Sequence, residues 1–134
     1  MIRKLNFDDY KQYLELISKF RETYFTQEQF TNFLNNNNTH IWIYTHNNII
    51  CGTSTLLIEQ KLIHNMGKVG HIEDVFILPE YRNLGIGKKL IQFLIHKCHK
   101  LKCYKISLYC DTHLTKFYQK CGFKKKNIQM EFRF

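Results

Sequence analysis

Arg82-Asn83-Leu84-Gly85-Ile86-Gly87 follows the apolar run Val75-Phe76-Ile77-Leu78 and opens a helical pattern that continues to about Lys102. The stretch reads as a strand, a turn holding two glycines, and a helix N-terminus. Glycine lets backbone N–H groups approach a ligand closely, and the helix dipole adds partial positive charge at the same place. Glu73-Asp74 stands directly before the apolar run, so two carboxylates border this anion cradle. An anion site beside an acidic pair points to an enzyme that uses a phosphate-bearing cofactor.

Outward from the turn, 134 residues suffice for one domain, 1–134, with its own core. A chain that is 44% hydrophobic and 23% charged has the make-up of a soluble globular protein and excludes disorder. No apolar run approaches the roughly 18 residues of a membrane span, and no signal segment opens the chain, so no membrane partner is expected. Cys51, Cys98, Cys103, Cys110 and Cys121 are odd in number and form no CxxC pair, which indicates neither zinc nor a disulfide framework. A reduced, cytoplasmic setting follows. Charge is divided unevenly: residues 1–81 hold 7 Lys/Arg against 9 Asp/Glu, and residues 82–134 hold 13 against 2. The basic half begins at the glycine turn, and it suits either a polyanion such as RNA or a phosphorylated small ligand.

Periodicity places the remaining elements. Residues 2–5 read as a short strand. Asn6 or Asp8 caps a helix to about Phe20, with Tyr10, Tyr13, Leu14, Ile17 and Phe20 at helical spacing. Thr26 with Gln29 forms a capping box for a second helix ending near Leu34, and Asn35-Asn36-Asn37-Asn38 reads as a loop. Residues 40–46 and 49–59 are strands joined by the hairpin turn Asn47-Asn48. A turn over 65–68 leads to a strand over 69–78. The helix after the glycines buries Leu90, Ile91, Leu94, Ile95, Cys98 and Leu101. Residues 105–110 form a strand, 114–120 a helix ended by Gly122, and 128–134 a closing strand. The order β-α-α-β-β-β-α-β-α-β predicts an α/β (α+β) architecture, a mixed sheet with helices on both faces.

With these motifs placed, the chain resembles the Gcn5-related N-acetyltransferase (GNAT) superfamily. Arg82-Asn83-Leu84-Gly85-Ile86-Gly87 matches its Gln/Arg-x-x-Gly-x-Gly/Ala acetyl-CoA signature, and Phe117-Tyr118 with Cys121-Gly122-Phe123 is similar to its late segment. Within the superfamily the chain is most similar to the glucosamine-6-phosphate N-acetyltransferases. Lys61-Leu62-Ile63-His64, Gly70-His71-Ile72-Glu73-Asp74-Val75, Cys103-Tyr104-Lys105-Ile106 and Met130-Glu131-Phe132-Arg133 carry that likeness, which covers about residues 50–134.

The resemblance implies a mostly antiparallel central sheet and transfer of acetyl from acetyl-CoA to the 2-amino group of glucosamine 6-phosphate, feeding UDP-N-acetylglucosamine synthesis. The scaffold accepts many amines, so a protein N-terminus, a lysine or a polyamine is the alternative acceptor. Partners implied are the amino-sugar phosphate and a second copy of the chain, a homodimer, rather than nucleic acid. Backbone N–H groups of Asn83, Leu84, Gly85, Ile86, Gly87 and Lys88 would hold the cofactor pyrophosphate, with Arg82 and Lys88 in reach of phosphate oxygens. The backbone of Val75, Phe76 and Ile77 would pair with the pantetheine arm and face the developing oxyanion.

Glu73 and Asp74 are the candidate proton acceptors, directly or through water. Adjacent residues of a strand point to opposite faces, so only one of the two side chains is expected in a given pocket. Tyr118 is the candidate acid for the departing thiolate, a phenol near pKa 10 against a thiol leaving group. Lys61, His64, Tyr104, Lys105 and Arg133 are candidates for the sugar phosphate, Arg133 across a subunit interface. No cysteine has an arranged base, so direct attack is expected rather than an acetyl-enzyme. Two departures stand out. Tyr109 occupies the position of the family's usual acidic residue, leaving the base role to Glu73, Asp74, Asp111, a water or backbone carbonyls. The family's N-terminal threonine has no clear counterpart, with Phe20, Arg21 and Thr23 as candidate positions.

Overall fold

A computed structural model describes residues 1–36 and 38–134; Asn37, within the asparagine loop, lies outside the described residues. Five strands form one sheet in the order β1-β2-β3-β4-β5: Ile2–Lys4, Thr39–His46, Ile49–Gln60, Lys68–Ile77 and Cys103–Ser107. The first three pairings are antiparallel and β4 pairs with β5 in parallel, as the mixed, mostly antiparallel expectation required. Helices α1 (Tyr10–Phe20), α2 (Gln27–Leu34), a single turn α3 (Ile63–Met66), α4 (Ile86–Lys100) and α5 (Thr115–Lys120) complete the order.

Strand alternation divides the core between the two faces. Ile41 and Ile43 of β2 pack with Tyr13 and Leu16 of α1 and Phe30 of α2. Trp42, between them, turns the other way and meets Phe93 of α4 edge-on at 4.7 Å. Leu56 and Ile72 join Ile91, Leu94, Cys98 and Tyr118 in that second cluster. Leu101, expected inside, is 41% exposed because α4 ends at Lys100 and the chain turns before Leu101 can face the sheet.

Local chemistry accounts for several element ends. Asn6 caps a 3-10 turn, Phe7–Asp9, that runs on into α1, and the Asp9 carboxylate returns to the Asn6 N–H at 2.9 Å. Arg3 grips the same carboxylate with two nitrogens, at 2.8 and 2.9 Å, which ties β1 to the start of α1. The Thr26–Gln29 capping box forms as read, with bonds of 2.8 and 3.1 Å. Asn47 and Asn48 both take positive φ, 48° and 63°, in the hairpin turn between β2 and β3.

The 65–68 turn begins earlier than expected, as α3, and its His64, Asn65 and Met66 are left-handed at φ 54°, 55° and 61°. The strand expected over 105–110 is shifted toward the N-terminus, as Cys103–Ser107. The closing strand over 128–134 does not form. Ile128, Met130, Phe132 and Phe134 are all largely exposed, so the alternating segment has strand chemistry but is not paired to the sheet.

Candidate active site

β4 carries the site. Thr53 of β3 pairs with Phe76 and Thr55 pairs with Glu73, so two steps on β3 match three on β4. The extra residue is a bulge at Asp74, whose φ is 49°. Its consequence corrects the alternation argument: Glu73 and Asp74 do not diverge to opposite faces. Both line one cavity of about 540 Å³ between the sheet and helices α1 and α2. The period-two rule fails because the bulge takes up half a pleat between them.

Beyond the bulge, the β4–β5 ladder stops at His71 and Ser107. Phe76 and Ile77 remain paired to Thr53 and Gly52 of β3 on one side, while on the other side the segment Val75 to Ile77 lies beyond the end of the β5 ladder, an edge open to a ligand's amides. Leu78 then leads through a 3-10 turn, Pro79–Tyr81, to the glycine turn. Arg82 folds back, its Nε–H donating to the Ile77 carbonyl at 3.0 Å and its guanidinium lying 5.5 Å from the Phe76 ring. Asn83 is left-handed at φ 62°, and Gly85 caps α4 at φ 80° with no side-chain cap bond.

A Cβ placed on Gly85 would meet nothing within 4 Å, so the glycine serves the backbone angle and leaves open space before the helix start. The first intrahelical bond runs from Lys89 N–H to Gly85 O, leaving the N–H groups of the first turn for a ligand. These features fit a pyrophosphate. Gly87 serves a different purpose: a Cβ there would sit tightly, 3.2 Å from Phe117 of α5.

That contact seats α5 across the first turn of α4. Tyr118 beside it is 8% exposed, edge-on to Phe117 at 4.9 Å, and shares a cluster with Val75. Burial, reinforced by the thiols of Cys110 and Cys121, pushes the Tyr118 phenol up to about 12. It is therefore a protonated donor at neutral pH. Burial likewise raises the Cys121 thiol, opposed by the charge of Lys88.

On the acceptor side, Tyr109 faces Glu73. That carboxylate, followed by burial and the charges of Asp74 and Glu131, holds the phenol above its ordinary value, so Tyr109 presents a neutral hydroxyl at this position. Of the three N-terminal candidates, Thr23 lines the cavity. Phe20 packs on Phe76 at 5.3 Å, and Arg21 folds over Phe20 at 4.4 Å.

The phosphate candidates divide into two groups. His64 stacks on Tyr104 at 4.3 Å and Lys105 lies 5.9 Å from the same ring, while Lys61 pairs with Glu59 at 3.2 Å. Tyr104 and Lys105 sit beside Lys68 and Val69, four to five residues before Glu73 on β4, which is roughly 13–17 Å along the strand. Arg133 lies on the exposed tail and pairs with Glu131 at 2.7 Å. Tyr104, Lys105 and the stacked His64 therefore stand well along β4 from the two carboxylates, while Arg133 is tied through Glu131 to the neighbourhood of Tyr109. Sequence reasoning also passed over Tyr13, which lines the cavity with the acidic pair, and Thr53, buried on β3 as a neighbour of the Tyr13 hydroxyl. Tyr13 at helical spacing reads as core, and nothing in its sequence context separates a core tyrosine from a cavity one.

A sequence model of the acetyltransferase (GNAT) family matches residues 5–123. The chain belongs to that family. As a GNAT protein it is an acyl-CoA-dependent N-acetyltransferase, with the family's general use of acetyl-CoA as acetyl donor. It is similar to glucosamine 6-phosphate N-acetyltransferase 1 of Dictyostelium discoideum, 38% identical over 138 residues that cover 96% of this chain and 87% of that protein. It is also similar to glucosamine 6-phosphate N-acetyltransferase of Arabidopsis thaliana, 43% identical over 81 residues, covering 60% of this chain but 54% of that protein. The crystal structure of glucosamine-6-phosphate N-acetyltransferase from Arabidopsis thaliana superposes with a TM-score of 0.94 at 34% identity, covering 100% of this chain and 97% of that one. The likeness thus extends through the N-terminal third, beyond residues 50–134. Among the described residues no helix is long and apolar enough to cross a membrane.

Proposed function

We propose that this chain, acting as one catalytic domain, transfers acetyl from acetyl-CoA to the 2-amino group of glucosamine 6-phosphate. The product is N-acetylglucosamine 6-phosphate for UDP-N-acetylglucosamine synthesis in the cytoplasm. One observation carries the reading: the bulge at Asp74 brings two carboxylates into one cavity beside the open edge of β4. The full-length likeness to relatives named for this reaction supports the choice of acceptor.

Acetyl-CoA, when bound, supplies the acetyl group and leaves as the thiol. The N–H groups of Asn83 to Lys88 hold its pyrophosphate, and Lys88 adds charge. The backbone edge of Val75 to Ile77 pairs with the pantetheine arm and donates toward the thioester carbonyl oxygen. Glu73 or Asp74 takes the ammonium proton, directly or through water, so that the neutral nitrogen forms the new C–N bond as the C–S bond breaks. Tyr118 donates its proton to the sulfur, the nitrogen sheds its second proton to solvent as the amide forms, and Tyr118 is reprotonated from solvent. Direct attack in a ternary complex suits a site whose nearby thiols, Cys110 and Cys121, have no arranged base.

The sugar phosphate, carrying about two negative charges, takes Arg133, His64, Lys105, Lys61 and Tyr104. Tyr104 and Lys105 stand along β4 from the carboxylates of their own chain, and in this reading the site is completed in a homodimer. The tail, residues 128–134, supplies Arg133 to the partner and buries its alternating apolar face there. Acetyl-CoA consumption measured against glucosamine 6-phosphate, glucosamine and a peptide amine tests the reading. Turnover with the sugar phosphate is expected, and turnover with the peptide alone overturns it.

A further inference from the structure

The floor of the acceptor cavity holds polar groups that the transfer reaction, as described, leaves unused. Tyr13, from the second turn of α1, lines the cavity with Glu73 and Asp74 and is only 5% exposed. Its ring stacks on Phe30 at 6.2 Å, which fixes where its hydroxyl points. Thr53, on β3 beside the bulge, is fully buried, and its hydroxyl has no hydrogen-bond partner among the described residues. A buried hydroxyl left unpaired costs on the order of 1–3 kcal/mol, so its retention calls for a use. The three groups are neighbours. Burial pushes the Tyr13 phenol up to about 12, the Thr53 hydroxyl opposes that shift, and the Asp74 carboxylate adds to it. Tyr13 is therefore a neutral donor throughout the working range, and the hydroxyl behind it can donate to its oxygen in turn.

We propose that Tyr13 is a positioning residue of the acceptor site: Thr53 donates to the Tyr13 oxygen, and Tyr13 donates to the Asp74 carboxylate, holding it toward the amine. Among the candidate proton acceptors this makes Asp74 the ordered one. Glu73 has a hydroxyl neighbour of its own, Tyr109. The ionisable groups at this centre are then Tyr13 from α1, Glu73 and Asp74 from β4, and Tyr109 after β5, with Glu131 of the tail beyond Tyr109. The assignment rests on the proposed role of the acidic pair as proton acceptor.

Two measurements test it. In the unsubstituted protein labelled at tyrosine Cζ, the Tyr13 resonance should carry an inflection at about pH 3–6, the carboxylate range. Asp74→Asn should remove that inflection. In steady-state kinetics, Tyr13→Phe keeps the ring and its stack but removes the donor. It should lower kcat several-fold and move the acid limb of kcat/KM up by about half to one pH unit, as loss of a hydrogen bond to the charged form requires. The KM for acetyl-CoA should stay unchanged. Thr53→Val should produce a smaller change in the same direction, adding little to Tyr13→Phe in the double variant. A packing role alone would alter thermal stability and leave the pH profile in place, so superimposable profiles overturn the proposal. If the unsubstituted protein does not acetylate glucosamine 6-phosphate, the proposed function fails, and the Tyr13 resonance still decides this one: no inflection sinks it.

Discussion

Arg82 donates its Nε–H to the carbonyl of Ile77 at 3.0 Å, so the first residue of the glycine turn is bolted to the last residue of β4. The bond spans the two parts of the cofactor site, the open strand edge and the helix start, and fixes their separation. Arg82→Ala frees the turn and is expected to raise the KM for acetyl-CoA about three- to tenfold, in line with loss of one solvent-exposed hydrogen bond worth about 0.5–1.5 kcal/mol. Its effect on kcat should be smaller. Steady-state kinetics with acetyl-CoA varied decide this, and an unchanged KM would remove the bolt from the argument.

Tyr118 is buried and held protonated, its phenol at about 12. Tyr118→Phe removes the proton donor but keeps the edge-on ring contacts with Phe117 and Phe123, so folding should survive. Turnover should fall about 10²-fold or more, the usual worth of a positioned acid, with the acetyl-CoA KM little altered. Because the folded-state value lies so high, no basic limb attributable to this residue should appear below about pH 10. Unchanged turnover would show that solvent protonates the thiolate.

The Arg3–Asp9 pair makes an acid-stability prediction. Burial raises the Asp9 carboxyl, but the Arg3 hydrogen bonds, the Asn6 N–H and the Arg3 charge outweigh it, so its value lies below the ordinary one. A depressed value contributes stability that is present above the unfolded pKa, about 3.9, and is lost as pH falls through the folded value. Arg3→Ala should cost about 1–3 kcal/mol at neutral pH, less than a fully enclosed pair, because the Arg3 side chain is 32% exposed. Urea unfolding at a series of pH values should show the difference between the two proteins narrowing below about pH 4. A constant difference across that range would contradict the linkage.

Arg133 tests the shared site. Arg133→Ala should raise the KM for glucosamine 6-phosphate about tenfold and leave that for acetyl-CoA in place, since only the phosphate loses a cation. Deleting residues 128–134 should in addition shift the protein toward monomer in sedimentation. A truncated chain that sediments as before and binds the sugar phosphate normally would remove the tail from the site.

Much of this protein could be read locally. The Thr26–Gln29 capping box, the Asn47-Asn48 hairpin, the left-handed Gly85 and the helix after it all appear where the residues placed them. Each depends on interactions within a few neighbours: a side-chain cap, a steric limit on φ, a dipole at a helix start. The amino-acid order by itself therefore determined most of the elements, the glycine turn that opens α4 and the family.

Tertiary structure decided what the neighbours of those elements are. Glu73 and Asp74 share one cavity only because β3 pairs with β4 through a bulge, and nothing in Gly70-His71-Ile72-Glu73-Asp74-Val75 marks where the extra residue falls. Tyr13 becomes a cavity group only because α1 lies over that bulge. Residues 128–134 have the alternation of a strand and yet stay unpaired, since pairing also needs a partner edge brought alongside, which alternation alone does not supply. Register, packing of one element over another, and the presence of an edge are long-range relations. Local pattern leaves them open, and the acceptor side of this enzyme is built from them.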